Sequence, residues 1–195
     1  MAAATRLIVG ITGATGVIYG VRLLERLREA GVETHLVISR WGARTLQHET
    51  RYSREQVEAL ASEVYKPDDM GAAISSGSFQ TAGMIVAPCS AKSLAAIAHG
   101  YGDSLIARAA DVVLKERRKL LLAVREAPLS EIHLENMLRL SRMGVVILPP
   151  VPAFYNHPAT IDDVVEHTVT RILDQFGVPV PNAARWSGDM GVNRT

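Results

Sequence analysis

The sequence predicts a single α/β domain built on a doubly wound parallel β-sheet. Short, largely apolar runs recur at 7–11, 34–38, 84–87, 119–124 and 145–148, as strands buried on both faces do. Helix-spaced apolar segments separate them, which implies right-handed crossovers covering both sides of the sheet. The 195 residues suit one such domain and are too few for two.

Each element has its own local signal. LIVGI (7–11) leads into TGATG, and then Val17, Val21, Leu24 and Leu27 mark a helix closed by Gly31. THLVI (34–38) precedes a polar helix starting near Trp41. Ser53, with Gln56 three places on, caps a short helix expected over 53–63. The stretch 66–82 is rich in Gly, Ser and Ala without a period, and so long a loop is more often functional than incidental. MIVA (84–87) is followed by a helix over 91–98, and Asp103 or Ser104 caps the next helix, which runs to about 117. KLLLAV (119–124), a helix over 131–143 ending at Gly144, and VVIL (145–148) come next. The linker PPVPAFYNHP holds four prolines, and Thr160 with Asp163 forms a capping box for a last helix stopping at Gly177. The domain is therefore read as 1–177, with an unpatterned tail at 178–195. No internal repeat is visible.

Composition narrows the function classes. With 48% hydrophobic and 21% charged residues, the chain has a large core, extended by subunit contacts. A net charge of +1 removes the bulk electrostatic case for nucleic acid or an acidic membrane surface, so any anion site is local. Cys89 is the sole cysteine, which excludes an internal disulfide and a multi-cysteine metal site. Histidines 35, 48, 99, 133, 157 and 167 show no HxH or HExxH spacing. No metal is expected, and leaving-group activation falls to Arg, Lys, Tyr and acid groups. Gly10, Gly13 and Gly16 spoil a secretory reading of the N-terminus, and no apolar run spans a bilayer. A soluble, cytoplasmic protein is expected.

In open α/β sheets, ligands bind beyond the carboxyl ends of the strands. That rule selects Thr12 to Gly16, Ser39, Pro88 to Ser93, Arg125 with Glu126, and Pro149 to Tyr155. GITGATG allows a tight turn whose free N–H groups can hold phosphate, helped by the hydroxyls of Thr12 and Thr15. It lacks the GxGxxG spacing, and Ser39 and Arg40 stand where an acid would hold an adenosine ribose. A mononucleotide suits it better than NAD; a tight turn without a ligand is the plainer alternative. APCSAKS (87–93) repeats the arrangement, with Cys89 read as a packing residue rather than a nucleophile. Arg108 and Lys115 share a helix face with Asp111 between them, which alone describes a solvated ion-paired surface. Arg125 and Glu126 at a strand end change that reading. A guanidinium fork binds phosphate oxygens in pairs and a nearby carboxyl passes a proton. Tyr155 on the linker and Arg171 in the last helix would complete that site, but Arg171 follows Thr168 by three places at the edge of the helix's apolar stripe, and an outward-facing side chain is the equal alternative. Glu49 closes the polar helix at an end the macrodipole disfavours for an acid, a hint of function.

The segments GITGATGVIYGVRLL, APCSAKSLAAIAHG, LIARAADVVLKERRKLLLAVREAP, IHLENMLRLS and VILPPVPAFY resemble UbiX-type flavin prenyltransferases, in order over nearly the whole chain. The resemblance implies a Rossmann-like fold, assembly as a homododecamer with sites between subunits, and transfer of a dimethylallyl group from dimethylallyl monophosphate to reduced FMN. The prenyl C1 joins flavin N5 and a fourth ring closes at C6. The product passes to UbiD-type decarboxylases, which serve ubiquinone synthesis or aromatic acid breakdown.

By the same resemblance, Gly13, Ala14, Thr15, Ser39, Ser90, Ala91, Lys92, Ser93 and Arg125 contact FMN. Lys115, Arg125, Glu126, Tyr155 and Arg171 surround the donor phosphate, and Trp186 helps enclose the prenyl group. Glu126, Glu49, Lys115 and Arg108 form the implied catalytic set, with Glu126 transferring the proton. The tail packs near the active site or a neighbouring subunit. The family usually has Ser where Thr15 stands; Thr keeps the hydroxyl, adds a methyl and stiffens χ1. A flavin-dependent cysteine decarboxylase of the same superfamily and a non-catalytic flavin-binding module are the alternatives. Residues 50–98 contain no His and VREAPLSEIHLENML stands where the decarboxylase's PxMNxxMW-like motif would be, while a storage module has no use for the second phosphate site.

Overall fold

In a computed structural model, which describes residues 5–181, 183, 185, 186 and 188, the apolar runs line up as one parallel sheet. The strands are β1 (Arg6–Ile11), β2 (Glu33–Ile38), β3 (Glu63–Tyr65), β4 (Gly83–Cys89), β5 (Lys119–Val124) and β6 (Val146–Ile147). Between them run α1 (Val17–Glu29), α2 (Arg40–Glu49), α3 (Arg54–Glu58), α4 (Ala91–Ala98), α5 (Leu105–Lys115) and α6 (Glu131–Arg142), with α7 (Ile161–Asp174) last. The order is β3-β2-β1-β4-β5-β6, every pair parallel. Strand order reverses between β1 and β4, where a doubly wound sheet opens a crevice.

Alternation along the strands divides the core between the two faces. Leu7, Val9, Ile11, Ile85 and Leu121 pack beneath α1 and α7. Ile8, Val37, Met84, Val86 and Leu122 pack beneath α4 and α5. Gly20 lets α1 approach the sheet closely, because a Cβ there would stand 2.5 Å from the Ala87 carbonyl oxygen. On that face Arg22 and Arg26 bind α7 through Asp162 and Glu166 at 2.7–2.9 Å. The ion pairs hold the helix that carries two residues of interest, His167 and Arg171.

Three expectations change. The helix expected over 53–63 stops at Glu58, and Glu63–Tyr65 forms an edge strand beside β2. A three-residue strand is too short to show a period of its own. The last helix ends at Asp174 rather than at Gly177. The loop 66–82 is chiefly a packed connection: Ile74 is buried and Arg118 donates to the carbonyls of Gly77 and Phe79, each at 2.7 Å. Its functional part shrinks to Pro67 and Asp68, which reach the crevice. Of the tail, Asn182, Ala184, Ser187 and 189–195 lie outside the described residues. No helix among the described residues is long and apolar enough to cross a membrane.

Candidate active site

The crevice is built by three strand-to-helix turns tied together. Thr12, at the end of β1, donates its hydroxyl to the Pro88 carbonyl and accepts from the Ser90 N–H, both at 2.8 Å. The Ser39 N–H donates to the Ile11 carbonyl at 2.9 Å. These bonds occupy the Thr12 hydroxyl, so the expectation of a free donor there is corrected. Gly13 is needed for packing whatever it binds, since a Cβ would collide with Trp41 on the first turn of α2.

A cavity of about 670 Å³ opens here, lined by Thr12, Gly13, Ser39, Arg40, Trp41, Arg54, Ser90, Lys92, Ser93 and Ser104 among others. Three of these serines are helix N-caps. Ser39 accepts from Gly42 N at 3.0 Å, Ser90 from Ser93 N at 3.3 Å and Ser104 from Ala107 N at 3.4 Å. The positive ends of α2, α4 and α5 therefore converge on one space, joined by Arg40, Arg54 and Lys92, with Asp68 the one acid on its wall among the described residues. Ala14 is buried, Thr15 is exposed, and neither they nor Ala91 and Arg125 lie on that wall.

The N-terminus of α1 is different. Its Gly16 and Val17 N–H groups donate to Glu49 Oε2 at 2.8 and 3.2 Å. The first turn of α1 thus already holds a carboxylate, and of the TGATG amides that of Gly16 is taken rather than open to phosphate. Glu49 also finds its physical reason: it ends α2, but meets the favourable end of another helix's dipole.

A second cluster forms between the proline-rich linker and α7. Tyr155 Oη lies 3.3 Å from His167 Nε2, and Asn156 Nδ2 lies 2.7 Å from His167 Nδ1. The Trp186 ring packs edge-on against Tyr155 at 5.7 Å, and both rings line an open cavity of about 380 Å³. Arg171, one turn beyond His167, pairs with Asp174 at 2.7 Å, and Arg185 pairs with the same carboxylate at 2.7 Å. The Arg185 hydrogen bond, with Arg171 close by, holds Asp174 below the usual carboxylate range. Burial first, and then the Arg171 cation, lowers the His167 pKa from its ordinary value. His167 had no assigned role in the sequence, and its contacts give no signal there.

The rest of the basic group is split. Arg125 and Glu126 are exposed beyond the end of β5, and Arg125 acts on the Tyr19 phenol, which burial raises and a Thr168 hydrogen bond lowers. The Arg125 charge thus lies within electrostatic reach of Tyr19 on α1. Arg108 pairs with Asp111 at 2.9 Å in the early part of α5. Lys115 ends that helix, paired with Glu116 at 2.6 Å and next to Gly77. An 11-residue helix is about 16 Å long, so Lys115 stands at the amino edge of the sheet, where β5 begins. Within one chain the structure does not bring Lys115 to Arg125, Glu126, Tyr155 or Arg171.

Cys89 is fully buried, and burial pushes its thiol up to about 12. The folded protein is expected to resist alkylation by iodoacetamide at pH 8 and to react at once in denaturant, as read by mass spectrometry. Rapid labelling of folded protein contradicts the packing role.

The flavoprotein family matches residues 1–173. A probable UbiX-like flavin prenyltransferase from Streptomyces sp. (strain D7) is 62% identical over 94% of this chain and 92% of its own length. The crystal structure of AnUbiX (PadA1) in complex with FMN and dimethylallyl pyrophosphate superposes with a TM-score of 0.94 at 52% identity, covering 95% of this chain and 99% of that one. A dodecameric FMN-dependent UbiX-like decarboxylase from Escherichia coli O157:H7 gives 0.93 at 62% identity, covering 94% and 100%.

Proposed function

Since this chain belongs to the flavoprotein family and, within it, to the UbiX-like flavin prenyltransferases, we propose that it joins the dimethylallyl group of dimethylallyl monophosphate to N5 and C6 of reduced FMN. The observation that carries the reading is the convergence of three helix N-termini on one cationic cavity. Its volume of about 670 Å³ lies within the range of small-molecule sites. That donor set suits a phosphomononucleotide.

Reduced FMN supplies the nucleophilic nitrogen: the prenyl C1–O bond breaks as C1 joins N5, phosphate departs and N5 loses its proton; a proton then delivered to prenyl C2 makes C3 the electrophile that C6 attacks, and C6 loses its own proton as the ring closes. Ser39, Ser90, Lys92 and Ser93 hold the flavin phosphate, with Ala91 in the same turn. Gly13, Ala14 and Thr15 run along the ring system, beside the carboxylate of Glu49 that α1 holds in place. Arg125, Tyr155 and Arg171 bind the donor phosphate, and Glu126 moves the proton. Tyr155 and Trp186 wall the prenyl group, where ring faces stabilise developing allyl cation character. Because Lys115 is remote from these groups in its own chain, a neighbouring copy brings it, together with Arg108, to the donor phosphate. The dodecameric relative supports that arrangement. The Arg185–Asp174 pair and the Trp186–Tyr155 contact support a tail that packs at the same place. In this reading the protein works in the cytoplasm, and a UbiD-type decarboxylase receives its product.

Release of inorganic phosphate tests the reading. Under anaerobic conditions, reduced FMN and dimethylallyl monophosphate are expected to yield phosphate in step with flavin consumed. A parallel reaction with dimethylallyl pyrophosphate, the donor in the AnUbiX complex, read by release of inorganic pyrophosphate, identifies the preferred leaving group. Absence of flavin-dependent release from both donors sinks the proposal.

A further inference from the structure

His167 belongs to none of the sets assigned above, yet both of its ring nitrogens are engaged. Asn156 Nδ2 donates to Nδ1 at 2.7 Å, so Nδ1 acts as acceptor and the ring proton sits on Nε2. That N–H then donates to the Tyr155 phenolic oxygen at 3.3 Å. The consequence is directional. Tyr155 accepts from His167 and keeps its own O–H free to donate outward. A phosphate oxygen accepts, so a tyrosine serving it needs that proton.

The surroundings reinforce the arrangement. The imidazole meets the phenol edge-on at 5.7 Å and 88°, while Trp186 packs against the same phenol at 79°. Tyr155 sits in a single 3-10 turn, Phe154–Asn156, on a linker whose Val151 and Phe154 are exposed. His167 sits on a helix anchored to α1 by Arg22 and Arg26. A rotatable phenol on an open linker is thus tied to a rigid element. Burial and the Arg171 cation favour the neutral ring, and only a neutral ring can accept from Asn156.

We infer that His167 is the positioning residue for Tyr155, holding its hydroxyl as an outward hydrogen-bond donor to the phosphate of the prenyl donor. This rests on the functional reading above, which assigns Tyr155 to that phosphate.

The test uses FMN-loaded protein with dimethylallyl monophosphate. His167→Phe keeps a ring against the phenol and removes both hydrogen bonds. It is expected to raise the KM for the donor about tenfold, with kcat and FMN affinity changed less than about twofold. His167→Gln, which restores a side-chain N–H, is expected to recover most of the loss. In a Tyr155→Phe background, His167→Phe is expected to add less than about twofold, because the two residues act as one unit. Nitrogen-15 spectra of the imidazole are expected to show the Nε2–H tautomer before any donor is added. Should His167→Phe not fold, His167→Leu, which also carries no donor, replaces it with the same expectation. An unchanged KM, a full effect in the Tyr155→Phe background, or an Nδ1–H tautomer overturns the inference. Normal donor uptake with an unchanged KM sinks only this inference, whereas parent protein that takes up no donor sinks the functional reading with it.

Discussion

Ser90→Asp is expected to leave the fold intact and weaken FMN binding by roughly a hundred- to a thousandfold. Asp caps a helix as well as Ser does, so α4 keeps the bond that Ser90 now accepts from Ser93 N. The new carboxylate, however, takes the place where the N-termini of α2, α4 and α5 converge. Two like charges about 4 Å apart repel by roughly 4 kcal/mol at the effective dielectric of a protein surface. Quenching of flavin fluorescence on titration reads the affinity, and circular dichroism reads the fold. Ser90→Thr, which keeps a hydroxyl, is the control. An unchanged affinity in Ser90→Asp moves the phosphate out of this cavity.

The second large effect concerns which copy supplies Lys115. Glu126→Gln and Lys115→Ala are each expected to cut turnover about a hundredfold or more, one by removing proton transfer and the other by removing phosphate stabilisation. Both variants are expected to keep FMN. If a neighbouring copy brings Lys115, mixed oligomers of the two inactive variants regain complete sites. Random mixing in equal amounts restores about a quarter of them, so activity rises far above either variant alone. The assay is phosphate release after joint refolding of the two chains. A mixture no more active than its components puts Lys115 and Glu126 in the same chain's site, against their separation across the sheet.

Most of the fold was legible because buried parallel strands announce themselves. LIVGI, MIVA and KLLLAV read as strands without help, and β1, β4 and β5 contain them. The edge strand at Glu63–Tyr65 did not, since three residues carry no pattern and its place is set by pairing with β2. Strand-end geometry also found the crevice, because Ser39 and Ser90 follow directly from where β2 and β4 stop. What stayed hidden depends on side-chain direction across the fold. Glu49 reaches the amides of Gly16 and Val17 from the far end of a different helix. Tyr155 and His167 meet because a linker folds back on α7, and nothing in PPVPAFYNHP says which way that linker turns. Trp41 and Arg54 line the cavity without having looked functional, since a helix start and a charged helix are their ordinary settings. Arg108 and Lys115 share a face, as their spacing requires, but spacing is silent about which copy that face serves.

The central claim is that this chain prenylates reduced FMN, and the flavin itself gives the most direct answer. Protein incubated anaerobically with reduced FMN and dimethylallyl monophosphate is denatured, and the released flavin is weighed by mass spectrometry. The expected product is a flavin carrying one five-carbon unit, absent when protein or donor is omitted. Unmodified FMN recovered from protein that had bound both molecules would contradict it.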